Sequence, residues 1–478
     1  MMNTIKKYKY EILAVLIALA TLIHRMFYIS LNKGLWWDSA SFLVLTQDIL
    51  GKTSCAWEPH RLPGFSLLMA PFYQIFGLNI SVFVIVGILF AVLSVIGIYF
   101  LASKMFNNKN IGIIAALFIS LSWLNFFYSL RVLSRIPASV FLIAGLYLFW
   151  VGYENKNWKK MLCSGLLFGF YYVIRFDASY VLIAMGIFVI IDFIRSKEKF
   201  VFIKRKELWL FAAGVLVVII PYMIWQMAAF GSPIYQFQLN YELAKGAGQS
   251  FVEQFNLMPH ILTTGWLIFF VIGAIYSLTQ IKRREYLLII LISAIFFIFM
   301  AAAPYHEDRY ILPILPVYGI IAAIGVMTAV NTIIRKDLFR LSRENTRLII
   351  CIIIALILGL LALNYGLPMI NSKGPSYGSV QDIGIELSSM PNSVVYTPFS
   401  VGAPMPQLCL WAADKEYKPY PNTSEEFFAN FKEGELAYCS IGYDTCPQYL
   451  LPKLSSQQEA DTAGMCRILS NNMQVLLL

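Results

Sequence analysis

Eleven apolar runs separated by short charged loops leave few folds open to this sequence. They lie at 12–29, 80–101, 111–128, 136–153, 161–174, 180–194, 208–230, 261–278, 286–303, 311–330 and 348–367. A helix needs roughly 17–25 apolar residues to cross the hydrocarbon core, and most of the runs reach that length. Backbone in lipid must satisfy its own hydrogen bonds, so such runs become helices. The chain is 59% hydrophobic and only 13% charged, so water cannot be its main solvent. The expected fold is membrane all-α, a polytopic bundle of about eleven transmembrane helices with a large first outer loop and a small C-terminal α/β ectodomain.

The fifth and sixth runs are short, with only Arg175-Phe176-Asp177-Ala178-Ser179 between them. Merging them would invert every loop that follows. Charge arbitrates. With the N-terminus inside and eleven spans, 22 of the 37 Lys and Arg fall in inside segments and nine at outside loops or span ends. The merged alternative puts Arg195, Lys197, Lys199, Lys204, Arg205 and Lys206 outside, against the positive-inside bias. The net charge of +10 is thus a matter of sidedness and calls for no nucleic acid partner. Lys6, Lys7 and Lys9 precede the first run much as in a signal peptide, but His24-Arg25-Met26-Phe27-Tyr28 offers no small-residue cleavage pattern. The first span is therefore read as retained. The expected location is the plasma membrane, multi-pass, with the N-terminus cytoplasmic.

Two long segments fall outside, 30–79 and 231–260, followed by a tail from Met369. Within the first, 63–77 is apolar but too short to span and reads as an interfacial or re-entrant helix. The tail returns to soluble composition, with β-like runs at 393–397, 435–440 and 475–478 and helix-like runs at 379–390 and 424–431. The division is thus a transmembrane domain over 1–368 and an extracytoplasmic α/β domain over 369–478. Cys409, Cys439, Cys446 and Cys466 all lie in the tail, a setting that permits two disulfides with the pairing open. Cys163 and Cys351 lie within spans and read as packing residues.

Ionisable residues at membrane depth are costly and need a reason. Here they gather at the outer ends of spans: Arg25, Asp38, Glu58, His60, Arg61, Arg131, Arg135, Arg175, Asp177, His306, Glu307, Asp308 and Arg309. Few carboxylates among many guanidiniums suit an anionic lipid headgroup and one base.

The segment 34–77, GLWWDSASFLVLTQDILGKTSCAWEPHRLPGFSLLMAPFYQIFG, resembles the first outer loop of GT-C glycosyltransferases. That superfamily includes the polyprenyl-phosphate-sugar enzymes related to protein mannosyltransferases and to the aminoarabinose transferase of lipid A. The matching elements are Asp38, a helix over 39–50, Gly51, Arg61-Leu62-Pro63-Gly64 and Phe76-Gly77. Looser matches are GLLFGFYYVIRFD at 165–177 and HEDRYILPILP at 306–316. Many members carry a second acid after the first, where this chain has Ser39. Asp48 or Glu58 could replace it, which leaves open a divalent metal held by Asp38 and Glu58.

The resemblance implies inverting transfer of a sugar from a polyprenyl phosphate to a lipid, glycan or protein acceptor. It asks for a base to take the acceptor's proton and cations to stabilise the leaving phosphate. Asp38 is the expected base, against the alternative of an interfacial acid capping its helix. Arg61, Arg175 and Arg309 are the expected phosphate ligands, since the guanidinium fork matches phosphate oxygens. Pairing of Arg175 and Arg309 with Asp177 and Asp308 is the competing role. Arg25 is either a structural partner of Asp38 or a phosphate contact. His60 and His306 are candidates to assist by hydrogen bonding or metal ligation. A transporter or lipid flippase with an ectodomain is the competing class. That class places its ionisable residues near the midplane, in paired broken helices.

Overall fold

The computed structural model describes residues 8–31, 35–195, 205–245, 248–335, 345–373, 378–390, 394–423, 425–426, 429, 436–440, 466–470 and 475–476. The basic stretches at 196–204 and 336–344, most of the expected helix at 424–431, and Cys446 lie outside the described residues. The chain divides into two compact units, Met1–Ile29 with Val84–Ile370, and Ser30–Phe83 with Asn371–Leu478.

The first unit is helical. Among the described residues seven helices are long and apolar enough to cross a membrane, and up to nine if each of two bent pairs is one span. The other two expected spans are also helices: Lys9–Met26, which carries Lys9, Glu11 and Arg25, and Trp158–Ile174, of 17 residues. Trp158–Ile174 and Ala178–Arg195 are separate helices, parted at Arg175-Phe176-Asp177. The chain is thus a multi-pass membrane protein of the expected fold class.

The bends are the main departure. The run at 111–128 is two helices, Lys109–Leu121 and Trp123–Ser129, set at 54°. Ser122 is extended there, and its Oγ accepts the Asn125 backbone N–H at 3.4 Å, so it caps the second helix. The segment expected to loop out to His260 instead holds Tyr235–Lys245 and Phe251–Leu262. The second of these starts with a Ser250/Glu253 capping box and meets Thr264–Thr279 at 113°. Thr263, at φ 62°, makes that corner. Proline, glycine and charge are absent at Ser122, whereas Pro259 and Gly265 flank the corner at Thr263.

Two helix pairs approach closely through facing glycines. A Cβ at Gly165 or Gly214 would strike the backbone of the opposite helix, and the same holds for Gly273 and Gly325. In lipid, small residues at the contact let dispersion between backbones hold helices together. The glycines of 165–169 thus have a packing role, joining Trp158–Ile174 to Lys206–Phe230.

In the second unit, Trp37–Ile49 packs on Pro63–Phe76. The latter starts on an extended Leu62 with proline at its first position and stops at Gly77, φ 64°. Ser66 Oγ donates to Phe42 O at 2.8 Å across the pair. The tail supplies the helix Gly378–Ser389 and strands β1 (Val394–Thr397), β2 (Phe399–Ser400), β3 (Ala403–Pro404), β4 (Glu416–Pro419), β5 (Leu436–Ser440), β6 (Cys466–Ser470) and β7 (Val475–Leu476). The main sheet runs β4-β1-β5-β6-β7, with β1 parallel to β4 and β5 and the remaining pairs antiparallel. Its core is Val380, Ile383, Leu387, Val395, Met405, Leu408, Ala412 and Leu436.

The cysteine expectation needs a correction. Cys409 pairs not within the tail but with Cys55 of the first outer loop. The reason is the helix Pro406–Trp411, which packs on Trp37–Ile49. Gln47 Nε2 donates to Leu410 O at 3.2 Å and Ser54 Oγ to Ala413 O at 3.0 Å, joining the same two segments as the bond. Cys163 and Cys351 are free.

Candidate active site

Four of the sequence-selected residues meet in the second unit. Arg61 lies between two carboxylates: its Nη2 donates to Asp38 Oδ1 at 2.8 Å and its Nε to Glu58 Oε2 at 2.8 Å. Glu58 also accepts from Trp37 Nε1 at 2.7 Å and from Ser41 Oγ. His60 Nε2 stands 3.9 Å from Glu58. The two acids are not equivalent. The Glu58 side chain is 1% exposed and held by three donors, whereas that of Asp38 is 17% exposed. Asp38 is the carboxylate a reactant can reach.

Asp38 does not cap its helix. Trp36 holds the N-cap position with no side-chain cap bond, and Asp38 sits in the first turn. The cause of its orientation is Arg61, delivered by the turn ahead of Pro63, where Arg61 N donates to Glu58 O at 3.0 Å.

The electrostatics follow from this sharing. Burial works against the Arg61 cation, but Asp38 and Glu58 outweigh it and raise its pKa, so it stays charged. Burial likewise opposes the Glu58 carboxylate, yet Arg61, His60 and the two hydrogen-bond donors hold it below the usual range. His60 is pushed down to about 4 by burial and by Arg61, and is neutral near pH 7. It can serve as a hydrogen-bond partner but not as a second cation. The two carboxylates do not fit a metal pair, because Arg61 occupies the space between them. Among the described residues no group of three or more His, Cys, Asp or Glu is arranged to hold a metal ion.

The remaining candidates lie in the first unit. Tyr310 gathers guanidiniums: Arg135 lies 5.1 Å and Arg309 5.9 Å from its ring centre, and Arg175 is within its electrostatic reach. Arg175 Nε donates to Asp177 Oδ2 at 2.7 Å, and Arg309 pairs with Glu307. Arg131 sits over Phe127 at 4.7 Å. Arg25 is fully buried with neutral partners, donating to Asn125 Oδ1 at 2.7 Å and to Ser120 O at 3.3 Å. His306 is buried, its backbone N–H donates to Gln249 Oε1, and neither ring nitrogen has a hydrogen-bond partner.

One constellation has no counterpart in the sequence reading. Asp308 accepts from Tyr128 OH at 2.8 Å and lies 3.2 Å from His260 Nε2, while His260 Nδ1 is 2.8 Å from Tyr365 OH. Burial raises Asp308, but the His260 and Tyr128 hydrogen bonds prevail and lower it. Its members are 48 to 180 residues apart from Asp308 or His260, so no local motif announces it.

Comparison with known proteins agrees with this fold. Residues 58–225 match the family of dolichyl-phosphate-mannose-protein mannosyltransferases. No curated protein matches the chain in sequence. Among solved structures, ArnT from Cupriavidus metallidurans bound to undecaprenyl phosphate is similar at TM-score 0.66 and 12% identity, covering 96% of this chain and 98% of that one. The apo ArnT structure gives 0.68 at 11% identity, with 98% of each chain covered. The archaeal oligosaccharyltransferase AglB from Archaeoglobus fulgidus, in complex with an inhibitory peptide and a dolichol-phosphate, gives 0.59 at 12% identity over 94% of this chain and 71% of that one. The expected resemblance therefore holds: the chain has the GT-C fold of membrane glycosyltransferases.

Proposed function

We propose that this GT-C-fold membrane protein is an inverting glycosyltransferase that moves a sugar from a polyprenyl-phosphate donor to an acceptor outside the cytoplasm. The observation that carries the reading is the reachable Asp38 carboxylate, held by Arg61 and buttressed by the buried Glu58. Supporting it, similar structures hold undecaprenyl phosphate or dolichol-phosphate.

Asp38 acts as the base. The acceptor's lone pair forms a bond to the anomeric carbon on the face opposite the phosphate, its proton passes to the Asp38 carboxylate, and the carbon–oxygen bond to phosphate breaks. The phosphate keeps the electron pair and needs no proton, so one carboxylate suffices where a glycoside hydrolase uses two. Arg61 stays charged beside the base, and Arg175 and Arg309 of the first unit are the candidate phosphate ligands. His60 is a neutral hydrogen-bond partner beside the acids, and His306 is a candidate hydrogen-bonding group for the phosphate. Arg25 keeps a candidate place at the phosphate through its unsatisfied Nε and Nη1.

In this reading residues 1–368 carry the reaction and 369–478 form the extracytoplasmic domain. The Cys55–Cys409 bond supports that sidedness, because disulfides persist in oxidising compartments.

The test uses membranes supplied with a labelled polyprenyl-phosphate sugar. Asp38→Asn is expected to lower turnover roughly 10²–10⁴-fold, the usual worth of a positioned base. Parental turnover in that variant overturns the base assignment. A parent that transfers no sugar but moves lipid across vesicles favours the transporter class instead.

A further inference from the structure

We propose that the C-terminal α/β layer positions the Asp38 carboxylate, and that Trp37 is the residue through which it does so. The inference rests on the reading of Asp38 as the base.

A continuous set of contacts inside the second unit carries it. Trp37 packs against the tail core formed by Val380, Ile383, Leu387, Val395, Met405 and Leu408. From there its Nε1 donates to Glu58 at 2.7 Å, Glu58 accepts from Arg61 at 2.8 Å, and Arg61 donates to Asp38 at 2.8 Å. Trp37 is therefore two things at once, an apolar anchor in the tail and a hydrogen-bond donor to the loop. A carboxylate as buried as Glu58 is costly unless its oxygens are satisfied, so the indole N–H fixes where Glu58 can sit. Glu58 fixes Arg61 in turn, and Arg61 orients the base.

The Trp37–Ile49 helix is tied to the tail a second time near its other end. Gln47 Nε2 reaches Leu410 O, Ser54 Oγ reaches Ala413 O, and Cys55 is bonded to Cys409. All three ties fall on Pro406–Trp411 or the residues just after it. Trp37 at the start of the helix and Cys55 beyond its end thus hold it at both ends against one layer.

The experiment uses the full-length protein in vesicles with the polyprenyl-phosphate sugar as probe. Trp37→Phe keeps an apolar ring and removes the N–H. It is expected to lower kcat about 10-fold, the worth of one hydrogen bond to a charged group, with donor KM within about twofold. The acid limb of its pH–rate profile is expected to move, which loss of packing alone does not cause. The paired variant Cys55→Ser with Cys409→Ser is expected to speed amide exchange across residues 37–49 while the spanning helices keep their protection. A parental kcat and pH profile for Trp37→Phe overturns the proposal, as does unchanged exchange at 37–49 in the cysteine pair. If the parent itself transfers no sugar, the base reading fails, and the exchange measurement alone then decides whether the tail holds the loop.

Discussion

The two ends of the helical bundle both pair an arginine with an acid two residues away, Arg205 with Glu207 at one and Arg175 with Asp177 at the other, but tie distant segments through different side chains. At one end Asp192 accepts from Tyr153 OH and from Arg284 Nε, each at 2.6 Å, and Arg205 Nη2 donates to Tyr153 O at 2.9 Å. These contacts join helices 39 to 92 residues apart in sequence. At the other end Arg175 and Arg309 take acids two residues away, within their own loops. Long-range ties there come from Asp308 and His260, which link Tyr128 and Tyr365, and from Arg25, which reaches Asn125 and Ser120. An acid two residues away can be exchanged for a phosphate without parting distant helices, whereas Arg284 cannot leave Asp192 without doing so.

The comparison can be broken at either end. The largest effect is expected at the second: Arg309→Gln should lower sugar transfer about 10–100-fold, the worth of a charge-assisted hydrogen bond to phosphate. Turnover is read per folded molecule, with thermal unfolding measured beside it. If that variant melts early with intact turnover per folded molecule, Arg309 is structural and the contrast fails. Asp192→Ala should do the reverse. It strands the Tyr153 hydroxyl and should cost about 1–3 kcal/mol, read by thermal unfolding in detergent, with turnover per folded molecule kept. The smallest effect concerns pH in the first outer loop. His60 has its pKa lowered from 6.5 to about 4, and Glu58 is also lowered, so the unfolded loop binds protons more readily than the folded one. Stability there is full above pH 6.5 and falls as pH drops towards about 4. Protease cleavage within residues 50–62 should accelerate over that window, and His60→Asn should flatten the change. A parental pH response in His60→Asn removes His60 from the account.

Much of the fold was open to reading because lipid imposes a simple rule on backbone. The runs at 80–101, 136–153 and 208–230 became Ile80–Phe106, Arg135–Glu154 and Lys206–Phe230. Breaks at Ser122 and Thr263 were hidden, since a single extended or left-handed residue leaves no mark on hydropathy. In the site, Asp38, Glu58, His60 and Arg61 were found as ionisable residues of the first outer loop, and their separation of at most 23 residues brought them together. Their unequal burial was not legible, because it depends on Trp37 and the tail core. Cys55 and His260 escaped notice for a related reason: their partners are 354 and 105 or 48 residues away.

The span between Cys55 and Cys409 also sets an order of events during synthesis. Cys55 leaves the ribosome early, and its partner comes only after every described membrane helix has been made. The first loop must therefore wait unlatched through the whole of insertion. The bond's presence on a gel certifies that the described helices between the two cysteines had all been made before it closed.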